Sequence, residues 1–137
     1  MKKLLFAAAI FTSIGLTSAN TKTLYQELGG YDAISAVTKT LATKLVQDPK
    51  LGVYFKGLNT HHKEVVVNNL TDFLCSVTGG PCIYTGENME EAHAGLGITD
   101  SDWNRFVKIT ESVLDEYRVP PNYKKSYWKD WFLLSHT

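Results

Sequence analysis

Histidine is the side chain best suited to holding a transition metal or moving a proton near neutral pH. Four occur here: His61, His62, His93 and His136. His93 has the richest surroundings. It lies in EEAHAGLGIT, Glu90 to Thr99, with two carboxylates before it and a glycine-rich turn after it. Helical spacing puts Glu90 one turn before the imidazole, where it could act as an acid/base partner. Solvated helix charge is the plainer use of Glu90 and Glu91. His93 itself is then either a surface residue at a helix end or a side chain that holds something. No hydrolase triad, phosphate-binding loop or dinucleotide fingerprint offers another chemistry.

The elements that position these residues are helical. From Ala33, the apolar residues Ile34, Val37, Leu41 and Leu45 recur at spacings of three and four. The stretch from about Thr60 to Val77 does the same, with Val66, Leu70, Phe73 and Leu74 on one face. Trp103, Phe106, Val107, Val113, Leu114 and Tyr117 mark a longer helix. Thr99, followed three residues later by Asp102, resembles a capping box that starts it. Pro120 and Pro121 stop it and permit a new start, and an aromatic helix with Tyr127, Trp128, Trp131 and Phe132 follows. Glycine turns separate the helices: Gly29-Gly30, Gly79-Gly80-Pro81 and Gly95-Leu96-Gly97. No strand-like alternation competes, so the expected fold class is all-α, with about six or seven helices, some very short.

The chain has 137 residues, 44% of them hydrophobic, and a formal net charge of +0. That describes one compact domain with a real core. Without a basic stripe, nucleic acid is not an expected partner. The first residues, MKKLLFAAAIFTSIGLTSAN, carry Lys2 and Lys3, an apolar run from Leu4 to Leu16, and small residues at Thr17, Ser18 and Ala19. This is the layout of a secretory signal peptide, residues 1–19, cut after Ala19. An uncleaved membrane anchor is the alternative, although the run is short for a span. With the leader removed, the domain is 20–137, no stable membrane anchor remains, and the destination is a bacterial periplasm or the exterior.

That compartment changes how Cys75 and Cys82 read. In an oxidising space, a close pair in FLCSVTGGPCIYTG suggests a disulfide. Such a bridge would constrain the unfolded chain by roughly 2–3 kcal/mol. Two buried thiols are the alternative, and the spacing fits no common zinc or redox pattern. The helices are also rich in aromatics, which fits an ordinary core or a flat apolar cofactor.

Four pieces occur in order: LYQELGGYDAI, DPKLGVYF, TGGPCIYTG and MEEAHAGLGIT. Together they resemble the group I truncated haemoglobins, over nearly all of the chain from about Leu24 to about Val119. The resemblance implies a two-over-two helical sandwich around haem b. It implies His93 as the proximal ligand of the iron, with its other ring nitrogen hydrogen-bonded to a backbone carbonyl. It places Phe55 on the haem face and Tyr84 near the haem edge, where a propionate contact is expected. Met89, Leu96, Ile98, Trp103 and Phe106 fall at proximal packing positions, and Val66, Leu70, Phe73 and Leu74 on the facing helix.

The chain departs from the family pattern on the distal side. The tyrosine usually found in the second helix is replaced by Ala42. Val66 and Leu70 stand where relatives often carry polar groups, after a few extra residues between Phe55 and that helix. An apolar distal pocket follows. Losing a hydrogen bond to a polarised acceptor costs roughly 1.5–3 kcal/mol, about tenfold to a hundredfold in affinity. His62, or His61, is a candidate sixth ligand when no gas is bound; exposure in a first helical turn is the plainer reading. His136 is expected in solvent.

Three functions remain open on the residues. The first is reversible binding of dioxygen, carbon monoxide or nitric oxide for carriage, storage or sensing, with a separate reductase as partner. The second is an enzyme, a nitric oxide dioxygenase or a peroxidase. The third is a disulfide-stapled helical module without haem.

Overall fold

A computed structural model describes residues 21–124. The leader at 1–19, the aromatic segment with Tyr127, Trp128, Trp131 and Phe132, and His136 lie outside the described residues. Helices α1 (Leu24–Glu27) and α2 (Gly30–Gln47) lead into a 3-10 helix, Leu51–Phe55. Helices α3 (Thr60–Val77), α4 (Met89–His93) and α5 (Asp100–Glu116) follow. Residues 121–124 are helical again after Pro120. No strand occurs among the described residues.

Helices α1, α3, α4 and α5 start where a polar side chain takes an orphan backbone N–H. Thr23 and Gln26 form a capping box on α1, and Thr99 and Asp102 form the expected one on α5. Asn59 accepts from the His62 N–H, and Asn88 from the Glu91 N–H. Helix α2 begins three residues before its apolar pattern does, because Gly29 and Gly30 take φ of 101° and 81° and turn the chain directly out of α1. Gly80 serves close approach instead. A Cβ there would lie 2.4 Å from the Tyr25 ring and 2.7 Å from Cys75 Sγ. The turn after α3 is thereby pressed onto α1, whose Tyr25 N–H donates to the Thr78 carbonyl at 2.8 Å.

The core lies between α2, α3 and α5. Leu41, Leu45, Leu51 and Val113 form its buried centre, and Val37, Tyr54, Phe55, Leu70, Phe106 and Ile109 pack around it. Hydropathy missed four buried members: Thr38, Thr71, Thr78 and Thr110. Their hydroxyls donate to the carbonyls of Ile34, Val67, Cys75 and Phe106, one turn earlier in each case. With the oxygen satisfied, the threonine methyl packs like a small apolar group. The expected α3 face is rotated in consequence. Phe73 is buried, Leu70 and Leu74 are half-buried, and Val66 is 41% exposed.

One carboxylate joins three elements. Asp48 ends α2, and its Oδ1 accepts the N–H groups of Lys50 and Leu51, capping the 3-10 helix. The Arg105 Nε from α5 donates to both carboxylate oxygens at 2.8 and 2.9 Å, and Arg105 Nη2 lies 2.7 Å from Oδ2. The guanidinium, then the Leu51 N–H, hold this carboxyl well below the usual carboxylate range. A depressed folded pKa contributes stability that is present above the unfolded value of about 4 and lost as pH falls below it. Asp48→Asn should therefore melt lower at neutral pH and show a shallower decline of melting temperature in acid. Thermal unfolding followed by circular dichroism from about pH 7 to about pH 2 measures both.

Candidate functional site

Helix α4 is a single short turn, MEEAH, begun by the Asn88 cap and closed by His93. Glu90 and Glu91 occupy its first turn, where negative charge complements the exposed N–H groups. His93 Nδ1 lies 2.7 Å from the Met89 carbonyl oxygen, one turn back. A carbonyl only accepts, so Nδ1 carries the proton of this bond and Nε2 is the nitrogen left for another partner. Among the described residues nothing contacts Nε2, and no carboxylate bonds the ring. The Glu90 acid/base pairing is therefore not formed. What stands there is an exposed imidazole whose Nδ1 is held by a carbonyl, the arrangement in which a metal-binding histidine is oriented through its other nitrogen.

All residues from 90 to 100 are exposed, and the backbone bonds of this stretch are local: Ala92 to Asn88, Ala94 to Glu91, and Leu96 to His93. Its ends are tied more firmly. After it, the Thr99–Asp102 capping box is held by Tyr54, whose hydroxyl donates to Asp102 Oδ2 at 2.8 Å. The Thr99 N–H and then the Tyr54 hydroxyl lower the Asp102 pKa, and the same bond raises that of Tyr54. Before it, Cys75 and Cys82 form the expected disulfide, with Cα atoms 5.7 Å apart. Tyr84 packs edge-on against Phe73, ring centroids 5.3 Å apart, and donates its hydroxyl proton to the Glu87 carbonyl. Burial, then Glu87, pushes the Tyr84 pKa up. The proton that a contact at the haem edge would use is thus committed to Glu87.

The remaining expected residues fall into groups. Leu70, Leu74 and Phe106 line an apolar cavity of about 230 Å³ between α2, α3 and α5. Phe55 packs with Leu70 and Phe106 around the core, and Trp103 stacks on Phe106 at 5.3 Å. Met89 is half-buried and supplies the carbonyl for His93. Val66, Leu96 and Ile98 stay 41%, 44% and 40% exposed. Ala42 is half-buried on α2, next to Leu41, which lines the cavity. His61 and His62 are exposed in the first turn of α3, with ring centroids 5.9 Å apart. Sequence reading missed the Asp48–Arg105 and Tyr54–Asp102 ties. The one available hint was Asp102, recognised only as a cap.

Three packed helices around an apolar cavity, with an exposed histidine on a separate short turn, have the all-helical architecture of the two-over-two globin class. The comparisons with known proteins carry this further. A family model described as bacterial-like globin matches residues 23–137, and the chain belongs to that family. The Group 1 truncated hemoglobin of Tetrahymena thermophila is 32% identical over 97 residues, 71% of this chain and 78% of that protein. The crystal structure of the Tetrahymena pyriformis truncated hemoglobin in its Fe(III) form is 30% identical with a TM-score of 0.70. The match covers 79% of this chain and 90% of that one. The 2/2 hemoglobin of a Synechococcus species, cyanomet and with covalently attached heme, shares the fold at 20% identity and a TM-score of 0.70. It covers 79% of this chain and 89% of that chain.

The family carries a haem cofactor that binds diatomic gases. The residues present fit such a group. His93 offers a bare Nε2, and Val66, Leu96 and Ile98 present apolar surface that a flat macrocycle would cover. The tie downstream of His93 can be tested alone. In Tyr54→Phe, the Asp102 carboxyl should titrate at higher pH, since one cause of its lowering is gone, and the first-turn amides of α5 should exchange faster. NMR carboxyl titration and amide exchange read both effects.

Proposed function

We propose that the chain is an exported haem b protein that reversibly binds a diatomic gas, with His93 as the axial ligand of the iron. The observation that carries this is the bond between His93 Nδ1 and the Met89 carbonyl, which leaves Nε2 as the donor. When bound, the haem would supply an iron that takes up dioxygen, carbon monoxide or nitric oxide. The Met89 carbonyl orients the imidazole. Phe55, Met89, Leu96, Ile98, Trp103 and Phe106 would offer the macrocycle apolar surface, as would Val66, Leu70, Phe73 and Leu74. Tyr84 contributes its ring. His62, with His61, is the candidate sixth ligand, and its exposed position leaves the ring unrestrained by any described neighbour other than His61.

On the distal side, Ala42, Val66 and Leu70 offer no donor to a bound gas. Carriage, storage or sensing suits such a pocket. Nitric oxide dioxygenation and peroxidase chemistry, the enzymatic alternatives, call for a polar distal group. Residues 1–19 as a signal peptide, with the disulfide, support export to the periplasm or beyond, and a separate reductase is the expected partner.

The protein purified with haem should give a ferrous carbonyl spectrum typical of histidine ligation. His93→Gly should lose it and regain it with added imidazole. A variant spectrum identical to that of the unaltered protein would remove His93 from the role. Dioxygen should dissociate fast, and Ala42→Tyr should slow it by about tenfold to a hundredfold, the worth of one hydrogen bond to a polarised acceptor. Stopped-flow displacement of dioxygen by carbon monoxide measures this. An unchanged rate would remove Ala42 from the distal pocket.

A further inference from the structure

A five-residue helix does not hold itself in place. Helix α4 is exposed except at Met89, and the backbone bonds around it are local, so the placement of His93 is set at the two ends of the surrounding stretch. The downstream end is fixed through Thr99, Asp102 and Tyr54. The upstream end is fixed by a covalent bond. Cys82, eleven residues before His93, is joined to Cys75, which is fully buried on α3. The bridge also sets the exit from α3 just before Tyr84, the next side chain to pack back on that helix. The buried centre of the fold does not draw on it: Leu41, Leu45, Leu51 and Val113 lie on α2, the 3-10 helix and α5. A reduced Cys75 would remain packed as a small apolar side chain.

We propose that the Cys75–Cys82 bridge is a positioning device for His93, and that opening it with a dithiol loosens the hold on haem while the three-helix core stays folded. This rests on His93 being the axial ligand. The opening is an ordinary exchange. A thiolate of the dithiol attacks Cys82 Sγ, on the half-buried residue, the S–S bond breaks, and Cys75 leaves as a thiolate and takes up a proton. The second thiol of the reagent then attacks the mixed disulfide and frees Cys82. Two electrons pass to the bridge, and the reagent ends as its own cyclic disulfide.

The test compares the haem-loaded protein when oxidised, when reduced with dithiothreitol, when reoxidised, and as Cys82→Ser, which leaves Cys75 in place. Haem transfer to excess apomyoglobin reads retention, and far-ultraviolet circular dichroism reads the core. Resonance Raman of the iron–histidine stretch in ferrous Cys82→Ser reads the placement of the imidazole, which a purely structural staple would not move. We expect transfer to be about tenfold faster or more in the reduced protein and in Cys82→Ser, the size of effect that supporting groups have on metal affinity. The stretch should shift, helicity should be kept, and reoxidation should restore slow transfer. Transfer unchanged by reduction and by Cys82→Ser overturns the proposal. So does a loss of helicity on reduction, which would make the bridge a staple for the whole fold. A wild-type spectrum from His93→Gly would instead overturn the functional reading, and His93→Gly is measured alongside to keep the two failures apart.

Discussion

The site-bearing half of this molecule depends on the Asp48 carboxylate. It sits where α2 ends and the chain reverses, and four nitrogens converge on it: two backbone N–H groups of the 3-10 helix and two from Arg105 on α5. A carboxylate with so little solvent is tolerable only when its charge is matched and its lone pairs are used. Here both conditions hold, and meeting them fixes geometry. The 3-10 helix cannot shift without losing its cap, and α5 cannot slide along α2 without breaking a forked ion pair. Because the 3-10 helix carries Tyr54 and Phe55, the same carboxylate also determines where Tyr54 meets Asp102. The chain of ties therefore runs from the end of α2 to the start of α5, and so to the loop that follows His93.

Rigidity falls off along that chain. The core interlocks leucines and valines with threonines whose hydroxyls are already bonded within their own helices. The His93 segment is the opposite: exposed, locally bonded and anchored at its ends. This separates two requirements that the proposed metal-binding role would place on His93. Its tautomer and ring rotation are settled by a contact four residues away, which survives any motion of α4 as a unit. Its position relative to α3 and α5 is settled by ties outside α4. Local stability and site geometry are thus controlled by different residues, as is common where a ligand site must open to admit its occupant.

What could be read in the sequence follows from how far apart the partners are. The bounds of α3, the Thr99–Asp102 box, the glycine turns and the Cys75–Cys82 pair all obey rules that act within about one or two turns of chain, and the structure reproduces them. Asp48 and Arg105 are 57 residues apart, and Tyr54 and Asp102 are 48 apart, so no periodicity points from one to the other. The buried threonines were hidden for another reason. A hydropathy pattern counts threonine as polar, and only the geometry shows that the hydroxyl is satisfied internally. That error propagates, since assigning Thr71 to the core turns α3 slightly and leaves Val66 at the surface. EEAHAGLGIT singles out His93 as a candidate and a carbonyl partner for its ring is expected, but that the partner is Met89 was not legible, because any of several backbone oxygens could have served.

The distal side shows why an alanine can matter more than the residues around it. Ala42 follows Leu41, which is both buried in the core and part of the apolar cavity wall. In the proposed pocket, a polar side chain at 42 would hold its donor where few waters compete for it and a hydrogen bond is worth more than at the surface. Alanine removes the donor without leaving an unsatisfied group behind, so the fold loses nothing by it. The effect falls on the ligand instead. A gas that gains partial negative charge on binding loses its stabilisation, whereas one that stays nearly neutral is little affected. An apolar distal wall therefore selects among diatomic ligands by polarity rather than by size. On the proposed reading, that selection would come from one small side chain on α2, while the hold on the cofactor would be decided on the other side, by the tethered segment of His93.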